Sequence, residues 1–261
     1  MTTATCLAGI SIVLVKTSHP GNVGSVARAM KTMGLSDLRL VAPKSVSICT
    51  EPEAIALASG AQDVLESAQF YDSLPDALHD RSCAYALSAR VRDLGPALQT
   101  PMQAAAQALM HQQSGEGAAF VFGAERSGLS NEELLVCNRQ VMIQANPQYS
   151  SLNLSQAVQI VCYALRTASE EGQGIEAGQS NAKLASIKAV NDLQAHWLQA
   201  MEAVDFINPD KPKKVVQRLA RWLARNPLEQ EEVDMLRGFL SDVVRVVDDR
   251  LYPHEMERKK P

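Results

Sequence analysis

The chain has 261 residues, a formal charge of −4 and a pI near 5.8. This length suits one large domain or a domain with an appendage, and the acidic balance excludes nucleic-acid binding by bulk charge, so any basic surface must be local. Five widely spaced cysteines without a C-x-x-C pair disfavour a disulfide framework and a structural zinc site. No run of ~20 apolar residues and no signal peptide is apparent, so we expect a cytoplasmic protein.

Strands alternate with helices along the first 168 residues. In chain order, the pattern predicts a strand over 10–15, a helix over 25–34, a strand over 38–43, a helix over 51–60, a strand over 83–87, a helix over 100–112, a strand over 118–123, a helix over 130–137, a strand over 139–145 and a helix over 153–168. This alternation predicts an α/β fold with a parallel sheet covered by helices on both faces.

A polar, glycine-rich stretch over 169–180 has no periodicity and predicts a linker. Helical segments follow at about 183–206, 212–225 and 229–250. We therefore expect an α/β domain over 1–168, the linker over 169–180 and a small all-helical C-terminal extension over 181–261.

The stretch FGAERSGLSNEEL (122–134) predicts a strand, a glycine-containing loop and a helix. Ser130 and Glu133 have the spacing of a capping box, which fixes the start of that helix. Ligands of open α/β sheets bind outside the carboxyl ends of the strands, where this loop falls. The loop lacks the G-x-G-x-x-G pattern of dinucleotide-binding folds, and both an ordinary turn and a ligand-binding loop fit it.

The stretch TSHPGNVGSVARAM (17–30) is a second strand-to-helix loop, with Gly21 and Gly24. It lacks G-K-[ST], which excludes a Walker loop, although a phosphate cradle remains possible. Arg28 falls in the first turns of the predicted helix, where a cation opposes the helix dipole unless an anion lies nearby. A solvated surface arginine fits this position equally well. His19 has no serine or carboxylate at a spacing that indicates a triad, and we interpret it as a loop residue.

Two further segments concentrate positive charge. In YALSARVRDLG (85–95), Arg90 and Arg92 follow a strand end, where they could grip phosphate or lie solvated in a loop. KPKKVVQRLARWLARNP (211–227) contains no acid and six cations: Lys211, Lys213, Lys214, Arg218, Arg221 and Arg225. The apolar side of this predicted helix comprises Val215, Leu219, Trp222 and Leu223. A polyanion site, a plain amphipathic surface helix and a membrane-surface helix all fit the pattern.

Three of these segments together are more specific than any one of them. GNVGSVARAMKTMG, GAERSGL and NPQYSSLNLSQA occur in this order along the chain. They resemble motifs one, two and three of the SPOUT superfamily, within its SpoU/TrmH class of RNA ribose 2′-O-methyltransferases. The likeness is greatest to TrmJ-type members, which act on nucleotide 32 of the tRNA anticodon loop. The resemblance covers about residues 10–168, and the helical remainder carries no diagnostic motif.

The resemblance implies a trefoil knot at the carboxyl end of the α/β domain, with S-adenosylmethionine bound in the knot. The implied cofactor-binding residues are Leu87, Ser88, Ala89, Gly123, Glu125, Gly128, Ile143, Ser150, Ser151 and Leu152. Relatives often have Gly-Thr where this chain has Ala86-Leu87, so contacts there are expected through the backbone.

The resemblance also implies the residues around the methyl-transfer centre, which are Arg28, Asn22, Ser151 and Asn153. Arg28 is the family's proposed base, but a guanidinium is almost always protonated. Arg28 could instead stabilise the developing alkoxide, with water or phosphate accepting the proton.

The implied partners are tRNA and a second copy of the chain. We expect no bound metal and no association with a membrane or with DNA. The residues expected to contact RNA phosphates are Arg90, Arg92, Lys213, Lys214, Arg218, Arg221 and Arg225. Methylation of ribosomal RNA or of another tRNA position, and a non-catalytic RNA-binding relative, remain alternatives. A nucleotide-dependent dehydrogenase is the most distant one, because its glycine fingerprint is missing.

Overall fold

A computed structural model of the chain describes residues 7–88, 98–113, 117–171, 184–210 and 214–251. In these ranges seven strands form one sheet: β1 (Ile10–Val15), β2 (Asp37–Val41), β3 (Gln69–Tyr71), β4 (Cys83–Leu87), β5 (Leu98–Gln99), β6 (Ala118–Phe122) and β7 (Arg139–Val141). The strand order is β3-β2-β1-β6-β4-β7-β5, and every pairing is parallel. The predicted parallel α/β sheet is confirmed.

Ten helices lie in the same ranges. They are α1 (Pro20–Met33), α2 (Pro52–Ala58), α3 (Gln62–Glu66), α4 (Leu74–Ala77), α5 (Pro101–Gln113), α6 (Asn131–Val136), α7 (Leu154–Glu171), α8 (Ile187–Ala203), α9 (Val215–Arg225) and α10 (Gln230–Leu251). Helix α7 continues three residues beyond the predicted domain boundary at residue 168. None of these helices has the length and apolar content needed to cross a bilayer.

Helix α1 begins at Pro20, five residues earlier than predicted. Proline fits the first helical position because its fixed φ suits a helix and its missing N–H would have no helical partner. Gly21 and Gly24 are therefore helical rather than loop residues. A Cβ added to Gly24 would lie 2.1 Å from the backbone oxygen of Ala54 in α2, so glycine at this position permits the two helices to pack closely. This packing holds the amino half of α1 against α2.

Helices cover both faces of the sheet. In β1, Ile12 and Leu14 point into the core on one face, and Val13 and Val15 point into the core on the other. The first core is completed by α1, α2, α3, α5 and α7, and the second by α4, α6 and the first residue of α8. Both faces of the strands are thus buried, as a parallel sheet requires, and ligands can reach only the strand ends.

A buried charge network ties the amino ends of β1, β2 and β4 together. The Arg39 side chain is 3% exposed and donates to Asp37 at 3.0 Å and to Asp80 at 2.7 Å. Arg81 donates to Asp37 at 2.6 Å and to the hydroxyl of Ser11 at 2.8 Å. Because each buried charge has opposite charges and hydrogen bonds around it, the network offsets the cost of removing these groups from water.

The C-terminal helices α8, α9 and α10 have a core of their own, with Leu193, Leu219, Leu223 and Val233 at its centre. Hydrogen bonds to backbone carbonyls help to join them to the α/β domain. The N–H of Ile187 donates to the carbonyl of Arg81 at 2.8 Å, and Arg139 in β7 donates to the carbonyl of Ala224 in α9 at 3.2 Å. The predicted helical extension is therefore present and packs against the sheet domain.

We predict that Asp37→Asn lowers the free energy of unfolding by about 3 kcal/mol at neutral pH, since Arg39 and Arg81 then share the single carboxylate of Asp80 and carry excess buried positive charge. Burial raises the pKa of Asp37, but hydrogen bonds from Arg39 and Ser11 and the charges of Arg39 and Arg81 outweigh it and hold the pKa below its usual value. The stabilisation is complete above the unfolded pKa of about 3.9 and is lost as the pH falls through the folded pKa.

Urea unfolding of wild-type protein and Asp37→Asn between neutral and acid pH measures both effects. Asp63→Asn is the matched control, because Asp63 pairs with Lys31 on the surface and its loss should change little. Equal unfolding curves for wild-type protein and Asp37→Asn would contradict a stabilising role for the network.

Candidate functional site

The carboxyl ends of β6, β4 and β7 are adjacent, and residues at or after these strand ends line a cleft of about 290 Å³. This volume is close to the lower limit of ~300 Å³ for small-molecule sites. The lining residues are Leu87, Ser88, Phe122, Gly123, Ala124, Glu125, Arg126, Ser127, Gly128, Leu129, Ile143, Ser150, Ser151, Leu152, Leu154 and Ala157. We refer to this space as the first cleft. Its wall combines apolar side chains with backbone polar groups and hydroxyls.

The loop after β6 folds back tightly on itself. The N–H of Gly128 donates to the carbonyl of Ala124 at 2.8 Å. A Cβ added to Gly123 would lie 2.2 Å from the backbone of both Gly128 and Leu129, and Gly128 has φ +67°, a left-handed conformation that favours glycine. Both glycines are therefore required by the loop's shape, which favours the ligand-loop interpretation over an ordinary turn.

Glu125 in this loop accepts hydrogen bonds from the loop after β1 and from the first turn of α1. The hydroxyl of Thr17 donates at 2.9 Å, the side-chain amide of Asn22 at 3.2 Å, and the backbone N–H groups of Ser18 and His19 at 3.3 Å each. His19 is the N-cap residue of α1 and its side chain makes no cap hydrogen bond. The Glu125 carboxylate thus serves as the anion at the amino end of α1, where the helix dipole favours negative charge.

Glu125 is held ionised by these contacts. Burial raises the pKa of its carboxyl, but hydrogen bonds from its own backbone, Asn22, Thr17 and Ser18 outweigh burial and lower the pKa below the usual value. An ionised, fully engaged carboxylate is a poor proton acceptor, so the geometry assigns Glu125 an organising role.

Asn22 connects this network to helix α7. The carbonyl oxygen of the Asn22 side chain accepts from the side-chain amide of Asn153 at 3.0 Å. The Asn153 carbonyl oxygen in turn accepts from the backbone N–H of Ser155 at 2.9 Å, which caps the start of α7. A chain of hydrogen bonds therefore runs from Glu125 through two asparagines to α7.

A second cleft is lined in part by the two asparagines. Its lining residues are His19, Gly21, Asn22, Ser25, Glu53, Leu57, Asn153, Ser155 and Gln156. Sequence reasoning took His19 for a plain loop residue and gave no role to Glu53 or Gln156. These residues come from separate elements, and no spacing in the sequence indicates that they meet.

The structure brings most of the predicted cofactor-binding positions together. The first cleft is lined by Leu87, Ser88, Gly123, Glu125, Gly128, Ile143, Ser150, Ser151 and Leu152. Ala89 lies outside the described residues. The predicted positions around the methyl-transfer centre are distributed over both clefts, with Ser151 in the first and Asn22 and Asn153 in the second.

Arg28 lies near the middle of α1, is exposed, and lines neither cleft. The argument that its charge opposes the helix dipole was wrong, because the helix begins at Pro20. In the described ranges its guanidinium has no hydrogen-bonding or ionic partner. It lies one turn beyond Ser25, which lines the second cleft, so the two side chains lie on the same face of α1.

The predicted phosphate contacts fall into two groups. Arg90, Arg92 and Lys213 lie outside the described residues. Lys214, Arg218 and Arg225 are exposed on or beside α9, and Arg221 is half-buried.

The sequence matches two family models. Residues 9–163 match the SpoU rRNA Methylase family, and residues 188–251 match the C-terminal domain of the tRNA methyltransferase TrmJ. The first match spans the sheet domain with both clefts, and the second spans α8 to α10 with the basic helix.

Curated proteins and solved structures resemble the chain over most of its length. The tRNA (cytidine/uridine-2′-O-)-methyltransferase TrmJ of Klebsiella pneumoniae is 42% identical, covering 91% of this chain and 97% of that protein. The tRNA (cytidine/uridine/adenosine-2′-O-)-methyltransferase TrmJ of Pseudomonas aeruginosa is 39% identical, covering 91% and 94%. The crystal structure of TrmJ from Z. mobilis ZM4 superposes with a TM-score of 0.77 at 30% identity, covering 89% and 98%.

We predict that Glu125→Gln accelerates amide hydrogen exchange at Ser18 and His19 by roughly 10- to 100-fold, because both N–H groups lose a charged acceptor. Exchange followed by NMR or mass spectrometry measures this. Glu232→Gln is the matched control, since Glu232 accepts from the N–H of Glu229 at 2.9 Å in the helical extension and should affect only that region. Unchanged protection at Ser18 and His19 in Glu125→Gln would contradict the organising role.

Proposed function

The chain belongs to the SpoU rRNA Methylase family and is an RNA ribose 2′-O-methyltransferase, and we propose that its acceptor is a pyrimidine at position 32 of the tRNA anticodon loop. The curated relatives named above act on tRNA cytidine and uridine, which supports tRNA as the substrate class. The observation that carries the proposal is the hydrogen bond between Asn22 of the second cleft and Glu125 of the first, which links the two clefts, with the predicted cofactor positions lining the first.

We propose that the first cleft holds S-adenosylmethionine, which supplies an electrophilic methyl group when bound. The residues present fit this molecule. Apolar side chains of Leu87, Ile143 and Leu152 suit an adenine ring, and the tight turn between Gly123 and Gly128 lets backbone polar groups approach a ligand. The hydroxyls of Ser150 and Ser151 are available for polar ends of the ligand.

A trefoil knot around this cleft is part of the proposal. Strand β7 lies beyond β4 in the sheet, whereas α7 packs against α1 and α5. The segment 142–153 therefore returns across the carboxyl edge of the sheet, and its residues 143 and 150–152 line the cleft with the loop after β6. This path is the one expected if the chain is threaded through a loop in the family's manner.

The second cleft is the proposed place of the ribose. Asn22 and Asn153 fix each other there, and Asn22 is fixed in turn by Glu125. Holding an acceptor hydroxyl in line supplies a large part of a transfer reaction's acceleration. Arg28 approaches from the neighbouring turn of α1, where its charge would stabilise the alkoxide that develops as the hydroxyl loses its proton.

The remaining parts of the proposal concern partners and location. The exposed arginines of α9 contact RNA phosphates, so affinity for tRNA should fall with salt. We propose a homodimer in which the helical extension of one subunit serves the active site of the other, and an enzyme that works in the cytoplasm.

Methyl transfer from labelled S-adenosylmethionine to a total tRNA pool tests the proposal. Nuclease digestion followed by mapping of the resistant 2′-O-methyl dinucleotide is expected to locate the label at nucleotide 32. Label at another tRNA nucleotide, or in ribosomal RNA alone, would favour the second candidate, a ribose methyltransferase with a different RNA target. Cofactor binding without any transfer to RNA would contradict the assigned activity.

We predict that Gly123→Ala abolishes binding of S-adenosylmethionine, because its Cβ would meet the loop backbone at 2.2 Å and force the loop out of shape. Gly238→Ala is the matched control, since a Cβ at Gly238 in α10 would meet nothing within 4 Å and Gly238 lines neither cleft. Calorimetric titration measures both variants. If Gly123→Ala binds S-adenosylmethionine with wild-type affinity, the cofactor does not bind in the first cleft.

We predict that Arg28→Ala lowers kcat for methyl transfer by at least about 100-fold while cofactor binding is unchanged, because alkoxide stabilisation acts in the transition state. Lys31→Ala is the matched control, being one turn further along α1 and paired with Asp63 at 2.8 Å. Steady-state kinetics and calorimetry measure the two properties separately. A loss of cofactor affinity without a loss of kcat would contradict this role.

A further inference from the structure

Helix α9 exposes one aromatic ring within a row of cations. Trp222 is 42% exposed, whereas Leu219 and Leu223 are buried in the helical core. Arg218 and Arg225 lie four residues before and three residues after Trp222, so all three side chains share one face of the helix. The expectation that Trp222 belongs to the apolar side of this helix is thus only half correct, because much of the ring faces solvent.

The Trp222 ring packs against a second aromatic ring, and the backbone that carries it is hydrogen-bonded. Trp197 of α8 meets it edge-to-face, with ring centroids 5.6 Å apart and an interplanar angle of 81°. Asn226 donates to the backbone carbonyl of Trp222 at 2.7 Å, and Arg139 of β7 donates to that of Ala224 at 3.2 Å. An aromatic side chain fixed in this way binds a flat ligand without a large loss of conformational freedom.

The cations around the ring lack anionic partners within the described part of the chain. No ion pair there involves Arg218, Arg221 or Arg225, and α9 contains no acidic residue. The Nε of Arg221 is buried and has no hydrogen-bond partner among the described residues. A buried guanidinium N–H without an acceptor is costly, and none of the described residues neutralises the charge of the half-buried Arg221.

We infer that Trp222 is a stacking platform for one unpaired RNA base, with Arg218, Arg221 and Arg225 holding the phosphates beside it. The inference rests on the proposed function, which supplies an RNA loop as substrate. Unpaired bases stack on aromatic rings while basic side chains follow the backbone. A membrane surface is disfavoured, because the other large apolar side chains of α9 are not exposed. The platform would grip a loop nucleotide other than the one that is methylated.

Binding of an RNA hairpin with a tRNA anticodon-loop sequence tests the platform. Trp222→Leu should weaken binding by roughly 10- to 100-fold without changing the salt dependence, because stacking releases no counterions. Trp222→Phe should stay within about 3-fold of wild type, since a ring remains. Arg218→Ala should instead reduce the salt slope by about 1.

Phe239→Leu is the matched control, because Phe239 is a 65% exposed aromatic residue on α10 of the same helical bundle. Its affinity for the hairpin should equal that of the wild type. Wild-type affinity in Trp222→Leu, or an equal loss in Phe239→Leu, would overturn the inference.

Fluorescence provides a test that leaves Trp222 in place. The chain has two tryptophans, so Trp197→Phe makes Trp222 the sole reporter and keeps an aromatic ring behind it. The anticodon-loop hairpin should quench the emission of Trp222 at saturation, and a blunt duplex made from the stem should not. Unchanged emission with saturating hairpin would overturn the platform.

Measurements on the wild-type protein distinguish a failure of the platform from a failure of the proposed function. If it methylates tRNA while Trp222 emission and Trp222→Leu affinity are unaffected, the platform alone is wrong. If wild-type protein neither binds nor methylates tRNA, the proposed function is wrong and the platform falls with it.

Discussion

The interactions of Glu125 are the constraint on which the rest of the site depends. One carboxylate, placed on the loop after β6, collects donors from the loop after β1 and fixes Asn22 on α1. Asn22 then positions Asn153, which caps α7. Two loops and two helices that share no local sequence are thereby locked into one arrangement. The carboxylate must stay ionised to do this, and its hydrogen bonds keep its pKa low.

The sheet topology explains why these loops meet. Strand β6 lies between β1 and β4, so the carboxyl ends of three strands that are distant in sequence become neighbours. Close helix packing at Gly24 and a tight loop at Gly123 then bring backbone against backbone. The charge network around Arg39 stabilises the sheet at the amino ends of its strands. The loops at the carboxyl ends are therefore free to form the functional site.

Long regular elements could be predicted from the sequence, and the relations between them could not. Strands over 10–15 and 83–87 and the capping box at Ser130 follow from local patterns. The short strand Gln69–Tyr71 has too few residues to show a period. The contact between Asn22 and Asn153 spans 131 residues, and no spacing rule reaches that far. Family resemblance identified both asparagines. The position of His19 in the second cleft and the exposure of Trp222 on α9 follow only from the three-dimensional structure.

The central claim is that the two clefts form one active site coupled through Asn22 and Asn153. A double-mutant cycle of Asn22→Ala and Asn153→Ala, with single-turnover methyl transfer to tRNA as the measured rate, tests it most directly. Because the two side chains fix each other, the account predicts that the double variant is scarcely slower than the more damaged single variant. Rate losses that simply multiply would show that the residues act independently and would contradict the account.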